Sequence, residues 1–443
     1  MFGYWFKNWS FNYKLGYAIV ITGLRTFYKK YEVTGLENIP KDGGVLFAVN
    51  HQNAFMDPVV LASQLQQKSY YLVRADIFKK KIAAKILNSM YMLPIYRQRD
   101  GVNTVTSNEK TFDKCFDILK KKGYIIIFPE GNHNNQKKIR PLKKGIARIG
   151  LGSANKYNFQ NNVYIVPVGL NYSNHTNMRA TLFINIGKAI PLKKYFSSYV
   201  NEPSVTINNV MNKVEGEMKK LTIDIQSSNY DIVHQLILLL NYRINSLSRV
   251  DYSLENEFEL QQELVKKMET LEAKDPVKFK SLTKNVAYLN SYFKKNNIRS
   301  HHLENSDTKK SNLSLTLIFL FITFPIHVYG LLSNYLPYKI PVWFVNKKVK
   351  DLHFHSSIKM SLGVTLFFLF WIIQFMLIWS FLGIKIGLIY IITLPIVAWF
   401  NNYYWISILK TKGKLSYLKL KKKNALKDIE DRYRKIITTV EDL

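Results

Sequence analysis

Short apolar runs alternate with helical patterns of apolar positions from Val33 to about Gly187. This alternation is typical of an α/β layer architecture, in which buried strands read as short apolar runs between amphipathic helices. The runs predict strands over residues 45–49, 70–73, 92–96, 124–128, 163–168 and 181–186. Helical patterns predict helices over residues 58–66, 77–90, 108–122 and 143–156. We therefore expect an α/β fold whose mixed sheet is flanked by helices, in a domain spanning 33–202.

Residues 203–310 follow a different pattern, with long helical segments rich in Lys, Glu, Asn and Leu and few strand signals. Within 255–295, the apolar residues Leu260, Leu264 and Met268 recur at helical spacing, which predicts a helix that packs along one narrow face. We expect this region to be a helical connector.

Three segments near the C-terminus contain no acidic or basic residue: 311–338, 360–384 and 386–409. Each is long enough to cross a bilayer, which takes about 20 residues. The last two are strongly aliphatic and aromatic, whereas the first carries Pro325 and His327, so a buried helix is a stronger alternative there. The pattern predicts a membrane region over 311–409 with two or three hydrophobic segments.

Lysines are distributed unevenly around these segments. Five lie between the first and second segments and seven lie in 410–423, but only Lys385 separates the second from the third. Because positively charged loops stay in the cytoplasm, two crossings keep every Lys-rich segment on the side of the N-terminal domain. We therefore favour two crossings, with the first segment re-entrant or interfacial, a basic cytoplasmic tail over 410–443 and the N-terminal domain on the cytoplasmic face.

The N-terminal region 1–32 contains a short apolar run that lacks the cleavage site of a signal peptide. Over residues 11–30 it reads as an interfacial helix, with Ile19, Leu24 and Phe27 on one side and basic residues available for lipid headgroups. The alternative is that this helix packs against its own domain and not against the membrane.

Composition narrows the class of protein. The 443 residues include 63 Lys and Arg against 31 Asp and Glu, a net charge of +32, so the expected partner is an anionic surface. Given the apolar segments, we expect anionic membrane lipid and not nucleic acid. One cysteine, Cys115, excludes a disulfide framework and a multi-cysteine metal site. A hydrophobic fraction of 47% excludes a disordered chain.

A dense polar cluster, 50–58, follows directly after the first predicted strand. Histidine as a residue type suits proton transfer, and a carboxylate such as Asp57 can fix the tautomer of His51 and stabilise its protonated form, which makes the pair a general base for a hydroxyl. The alternative is structural, because Asp57 before Pro58 also matches a helix N-cap followed by a first-turn proline.

Two further clusters also follow predicted strands, where α/β folds place functional groups. Residues 128–133 read Phe-Pro-Glu-Gly-Asn-His, a carboxylate and a permissive glycine in a short loop. Arg97 and Arg99 follow the strand at 92–96 and suit bidentate phosphate binding. Downstream, Arg140 and Lys143 stand near the start of a predicted helix, where an anion can bind.

The order of these pieces resembles a known family, the glycerolipid acyltransferases that make lysophosphatidic and phosphatidic acid. His51 and Asp57 resemble the His/Asp pair of that family, 94–97 its second block, 128–131 its Phe-Pro-Glu-Gly block and 166–168 its fourth. The family pair is usually separated by four residues, whereas five separate it here, and the third block continues as Asn-His instead of Thr-Arg. Both departures look more like fungal-type enzymes that acylate glycerol 3-phosphate or dihydroxyacetone phosphate.

The resemblance implies a membrane-bound O-acyltransferase of phospholipid synthesis, without a cofactor or metal. A fatty acyl group would pass from acyl-CoA or acyl-carrier protein to a phosphorylated glycerol-type acceptor: glycerol 3-phosphate, dihydroxyacetone phosphate or lysophosphatidate. It implies that His51 is the general base, that Asp57 orients it and that Arg97 binds the acceptor phosphate. The residues expected to bind substrate are Asn50, Arg97, Glu130, Gly131, Asn132, Arg140 and Lys143.

Two alternatives stay open. His51, Asp57, Glu130 and His133 could instead be the ligands of a membrane-bound, metal-dependent phosphoesterase. The chain could also be a non-enzymatic basic membrane scaffold that uses its lysines for anionic lipid.

Overall fold

The computed structural model describes residues 11–65, 67–96, 104–247, 253–304 and 310–443. The chain divides into two compact units. The first comprises Met1–Asp224 and a short later segment, Asp351–Ser357, and the second comprises Ile225–Lys350 and Ile358–Leu443.

The first unit is built on an eight-stranded sheet with the order β1-β7-β6-β2-β5-β3-β4 and β8 paired with β6. The strands are β1 Lys30–Thr34, β2 Gly44–Val49, β3 Ser69–Arg74, β4 Met92–Ile95, β5 Tyr124–Ile127, β6 Val163–Tyr172, β7 Thr181–Ile186 and β8 Ile190–Pro191. β6 runs antiparallel to β7 and β8, while the other paired strands are parallel. The predicted α/β class with a mixed sheet is therefore confirmed.

Six of these strands match the predicted runs, and two were missed. β1 carries Lys30 and Glu32, is half-buried at each position and pairs only with β7, so an apolar run does not mark it. β8 is two residues long. β6 continues four residues past the predicted end to Tyr172, a residue that matters for the site described below.

The helices of the first unit are α1 Phe11–Phe27, α2 Met56–Ala62, α3 Lys81–Ser89, α4 Thr104–Lys120, α5 Gly145–Lys156, α6 Phe196–Asn201 and α7 Pro203–Lys220. The predicted helix over 77–90 is instead a 3-10 turn, Ala75–Phe78, followed by α3. α2 begins two residues earlier than predicted, and Phe55 occupies its N-cap position. Asp57 lies inside the first turn, so its interpretation as an N-cap is wrong.

The core of the first unit lies between one face of the sheet and the helices α4, α5 and α7. Alternate residues of β2, Leu46 and Ala48, share this cluster with Ile125 of β5 and with apolar residues of the three helices. Cys115 of α4 is fully buried in it, and burial raises the pKa of its thiol to about 12. This cysteine is therefore a packing residue and not a nucleophile.

The N-terminal helix α1 packs through its last turns, where Leu24 and Phe27 are buried. Tyr17 also donates a hydrogen bond to the carbonyl of Ser63 at 2.9 Å. Ile19 is exposed. The second half of α1 is thus docked on its own domain, and membrane contact by the remainder stays a prediction.

The second unit is helical throughout its described residues. Its helices are α8 Tyr230–Leu247, α9 Leu254–Lys274, α10 Pro276–Asn296, α11 His301–Glu304, α12 Lys310–Ile322, α13 Phe324–Lys348, α14 His355–Leu382, which begins in the first unit, α15 Ile384–Lys422 and α16 Lys427–Glu441. The predicted helix over 255–295 is two helices, because Asp275 caps α10 by accepting a hydrogen bond from the Lys278 amide at 2.9 Å and Pro276 occupies the first turn.

Two helices, α14 and α15, are long and apolar enough to cross a membrane. Leu313–Ile322 and Phe324–Lys348 pass the same test only as a pair, bent by 57° at a break, so length and composition allow two or three crossings. Polar side chains join these helices: Trp371 donates to Asn334 at 2.8 Å and His327 pairs with Asn401 at 2.9 Å. Such hydrogen bonds are a usual means of association between apolar helices.

Candidate active site

The sheet topology brings two of the predicted polar clusters together. β2 lies beside β5 in parallel register, with Ala48 opposite Ile127. The carboxyl ends of the two strands therefore meet at one edge of the sheet, so His51 follows β2 at the place where Glu130 follows β5. The amide of His51 donates a hydrogen bond to the Glu130 carboxylate at 3.1 Å.

His51 and Asp57 form the pair that the sequence predicts. Nδ1 of His51 lies 2.8 Å from Oδ2 of Asp57, and the Asp57 side chain is fully buried. Five residues separate them, and the turn before α2, in which Ala54 adopts a positive φ of 36°, lies between the two side chains in the chain. The longer spacing therefore does not separate the two side chains.

The Asp57 carboxylate accepts four hydrogen bonds. Besides His51, Oδ2 accepts from the amides of Gln52 at 2.8 Å and Asn53 at 2.7 Å, and Oδ1 accepts from the hydroxyl of Tyr172 at 2.7 Å. The carboxylate is therefore the acceptor in all four bonds, which hold it in one orientation.

This arrangement fixes the tautomer of His51. Since Asp57 acts as acceptor, Nδ1 carries the proton, and Nε2 presents a lone pair that has no hydrogen-bond partner among the residues described. The ring stacks on Phe128, with centroids 4.1 Å apart, and the side chain is 16% exposed. An oriented imidazole with one open nitrogen is equipped to take a proton from a bound hydroxyl.

The loop after β5 is held by an ion pair. Arg140 pairs with the Glu130 carboxylate and also donates to Asn132. Burial raises the pKa of Glu130, with Arg140 and the His51 amide opposing this effect. Gly131 adopts a φ of +77°, which favours glycine. Three predicted substrate-binding residues, Glu130, Asn132 and Arg140, thus bond to each other and to the His51 backbone, and these bonds shape the loop.

The other predicted substrate-binding residues differ in accessibility. Asn50 is fully buried, and its amide bonds at both ends to the backbone of Leu170, at 3.0 and 2.7 Å, which favours a role in fixing the strand end over contact with substrate. Lys143 is exposed, and its side chain lies beside Gly131. Its Cγ is 3.4 Å from the point where a Cβ would stand if residue 131 had one, and its ammonium is available for an anion. Arg97 lies outside the described residues.

Sequence reasoning missed two contributors to the site. Tyr172 is fully buried and binds Asp57, and a buried tyrosine hydroxyl at a strand end does suggest a polar partner without identifying it. The segment Asp351–Ser357 belongs to the first unit although Asp351 lies 218 positions after His133 in the chain. Its Asp351 and His353 lie beside His133, and Ser356 donates to Asn53 at 2.6 Å. No sequence signal pointed to this segment.

The four ligands expected for the phosphoesterase alternative, His51, Asp57, Glu130 and His133, do not form one metal-binding group in the structure. Among the described residues, the group of His, Asp, Glu and Cys side chains close enough to share an ion is His133, Asp351 and His353. His51, Asp57 and Glu130 are committed to the hydrogen bonds given above.

Comparison with known proteins agrees with the resemblance found in the sequence motifs. Residues 30–171 match the family model described as "Acyltransferase". The chain is 30% identical over 116 residues to glycerol-3-phosphate O-acyltransferase 2 of Saccharomyces cerevisiae, covering 26% of this chain and 16% of that protein. It is 26% identical over 259 residues to glycerol-3-phosphate O-acyltransferase 1 of the same yeast, covering 56% of this chain and 32% of that protein.

A bacterial relative is covered more fully. The 1-acyl-sn-glycerol-3-phosphate acyltransferase of Borreliella burgdorferi is 26% identical over 195 residues, which is 42% of this chain and 72% of that protein. By contrast, the chain spans only 16% and 32% of the two yeast proteins. Residues 30–171 therefore match an acyltransferase family model, and the chain is similar to glycerolipid acyltransferases of yeast and bacteria.

Proposed function

We propose that this protein transfers a fatty acyl group from a thioester donor to a hydroxyl of a phosphorylated glycerol-type acceptor in phospholipid synthesis. The observation that carries the proposal is the His51–Asp57 pair, in which Asp57 holds Nδ1 at 2.8 Å and leaves Nε2 open. Nε2 takes the proton of the acceptor hydroxyl as its oxygen attacks the thioester carbonyl. The tetrahedral intermediate then expels the thiolate, which recovers the proton from Nε2.

This series of reaction steps needs no covalent enzyme intermediate. The burial of Cys115, which makes its thiol inaccessible, agrees with that. Asp57 stabilises the imidazolium that forms when His51 takes the proton. The acceptor phosphate meets the exposed Lys143 beside Gly131. The family resemblance of the sequence assigns Arg97 to the same phosphate. The donor is acyl-CoA or acyl-carrier protein, and the yeast and bacterial relatives support glycerol 3-phosphate or its 1-acyl derivative as acceptor.

The test is an assay of the purified full chain in detergent or vesicles with labelled palmitoyl-CoA. The acceptors to compare are glycerol 3-phosphate, dihydroxyacetone phosphate and lysophosphatidate, with glycerol as the unphosphorylated control. We expect a labelled ester with at least one phosphorylated acceptor and none with glycerol. Absence of transfer to all three phosphorylated acceptors, with both acyl-CoA and acyl-carrier protein donors, would contradict the proposal.

Replacing Arg97 with alanine should raise the KM for the phosphorylated acceptor more than the KM for the acyl donor. A lysine at the same position should rescue poorly, because its point charge cannot reproduce a bidentate contact with phosphate. Steady-state kinetics with each substrate varied in turn measure the two constants. A larger effect on the donor would reassign Arg97 to the phosphates of CoA.

We also propose that the protein is a multi-pass membrane protein with its acyltransferase domain on the cytoplasmic face. Support comes from the apolar helices α14 and α15, and from the positions of the lysines, which flank the two helices at their outer ends. A cytoplasmic supply of acyl donors fits the same orientation.

Cysteine labelling tests the number of crossings between the Lys-rich segments. Single cysteines replace Asn346, Ser380 and Lys422, all exposed residues, in a chain whose Cys115 is serine. On sealed inside-out vesicles, we expect a membrane-impermeant thiol reagent to label positions 346 and 422 and to spare position 380. Labelling at position 422 without position 346 would require an odd number of crossings between them and would exclude the two-crossing hairpin.

A further inference from the structure

The segment Asp351–Ser357 adds a second His/carboxylate pair to the first unit. Asp351 lies 3.0 Å from Nε2 of His133, the last residue of the Phe-Pro-Glu-Gly-Asn-His loop. The same carboxylate accepts from the His353 amide at 3.0 Å and contacts Nδ1 of His353 at 2.6 Å. Phe354 packs edge-on against the His133 ring, with centroids 5.3 Å apart.

The protonation states of this cluster follow from its hydrogen bonds. Although burial raises the pKa of Asp351, the hydrogen bonds from His353 and His133 outweigh it and lower the pKa to about 2. An ionised carboxylate can only accept hydrogen bonds, so Nε2 of His133 must carry the proton that it donates to Asp351. In the neutral ring, Nδ1 then carries a lone pair and no proton. Burial, aided by the neighbouring histidines, lowers the pKa of His133 despite its bond to Asp351, which keeps the ring neutral.

Two histidines and a carboxylate within 4.8 Å of one another also resemble a zinc ligand set. However, Nε2 of His353 accepts a hydrogen bond from the amide of Asn135 at 3.1 Å, which places the His353 proton on Nδ1, facing Asp351. Both nitrogens of His353 and both oxygens of Asp351 are therefore satisfied without an ion. The hydrogen bonding favours an oriented His133 over a metal site.

The open nitrogen of His133 stands next to the proposed general base. The rings of His51 and His133 are perpendicular, with centroids 5.6 Å apart. Nδ1 of His133 has no hydrogen-bond partner among the residues described, and the side chain is 23% exposed. These adjacent imidazoles thus each keep one ring nitrogen without a hydrogen-bond partner among the residues described. With hydrogen bonds of about 2.8 Å, neighbouring hydroxyls of one small polyol can reach both.

Building on the acyl transfer proposed above, we propose that His133, positioned by Asp351, binds a second hydroxyl of the acceptor while His51 takes the proton of the attacking one. The acceptor class that satisfies both nitrogens is a phosphorylated diol such as glycerol 3-phosphate. Lysophosphatidate has a single free hydroxyl and leaves Nδ1 of His133 without this bond. His133 is therefore a specificity-determining residue, and Asp351 is its positioning residue.

The test compares glycerol 3-phosphate with 3-hydroxypropyl phosphate, which keeps the attacking hydroxyl and its distance from the phosphate but lacks the second hydroxyl. Wild-type protein should favour glycerol 3-phosphate in kcat/KM by about 10-fold, the range of one buried hydrogen bond. His133→Phe, which keeps an aromatic ring against Phe354, should reduce this ratio to about 1 by lowering activity on glycerol 3-phosphate alone. His133→Ala should do the same.

Asp351→Ala should reduce the ratio in the same direction, whereas Asp113→Asn, a change of an exposed carboxylate on α4, should leave it unaltered. Equal losses on both acceptors in His133→Phe and His133→Ala would show a structural role and overturn the assignment. Loss of activity on chelation, with recovery on added zinc, would overturn it in favour of a metal site. Acylation of lysophosphatidate but not of glycerol 3-phosphate would overturn the His133 assignment and leave the proposed function standing. Absence of transfer to glycerol 3-phosphate, dihydroxyacetone phosphate and lysophosphatidate alike would instead mean that the proposed function fails.

Discussion

Replacing His51 with alanine is expected to lower kcat for acyl transfer by about 10²- to 10⁴-fold, the usual contribution of a general base. The substitution removes the imidazole that Asp57 orients, whose Nε2 has no hydrogen-bond partner among the described residues. Folding should survive, because the ring is partly exposed and Asp57 keeps its hydrogen bonds from Gln52, Asn53 and Tyr172. The measurement is turnover of labelled acyl-CoA, with circular dichroism and the melting temperature as checks on the fold.

A matched control is His234→Ala, which removes a half-buried histidine of α8 in the second unit and should leave turnover unchanged. Added imidazole should restore part of the activity of His51→Ala, since a small base can enter the space left by the ring, and it should not affect the control. Turnover within a few-fold of wild type in a well-folded His51→Ala protein would exclude His51 as the base.

The amino-acid sequence predicted the site residues best where they directly follow a strand. His51 and Glu130 each follow an apolar run, and parallel strands place such residues at one edge of a sheet, so their meeting could be expected before β2 and β5 were known to be neighbours. The pairing of His51 with Asp57 is local in the chain and was also accessible. The motif spacing could not show that Asn50 turns inward, because its bonds to Leu170 depend on the register of β2 beside β6.

Contacts between distant parts of the chain were out of reach of pattern reasoning. Asp351 is 218 positions from His133, and nothing in the apolar pattern around it distinguishes it from any polar residue before a long apolar helix. The break between α9 and α10 is a different case. Asp275-Pro276 is a local signal for a helix boundary, and the apolar spacing of the flanking helices concealed it.

Replacing Asp57 with asparagine should lower kcat about 10³-fold while leaving the protein folded, because the change removes the charge and keeps the shape. The remaining carbonyl oxygen can still accept from His51 and from the amides of Gln52 and Asn53. The new NH₂ group then faces Tyr172, whose hydroxyl can rotate and accept. What is lost is the stabilisation of the imidazolium that forms when His51 takes the proton, an effect that appears in turnover and not in acceptor binding.

Two further variants, Asp57→Ala and Tyr172→Phe, distinguish the effect of losing the carboxylate charge from the effect of losing its buried hydrogen bonds. Alanine leaves two amides and a hydroxyl buried without an acceptor, at a cost of about 1–3 kcal/mol for each group, so this variant should lose stability as well as activity. Phenylalanine at position 172 removes one donor and preserves the carboxylate, so turnover should fall less than 10-fold. If Asp57→Asn lowers the melting temperature but retains near-normal turnover, the carboxylate serves the fold alone. His51 would then act without an ionised partner, and the proposed His51–Asp57 base would have to be abandoned.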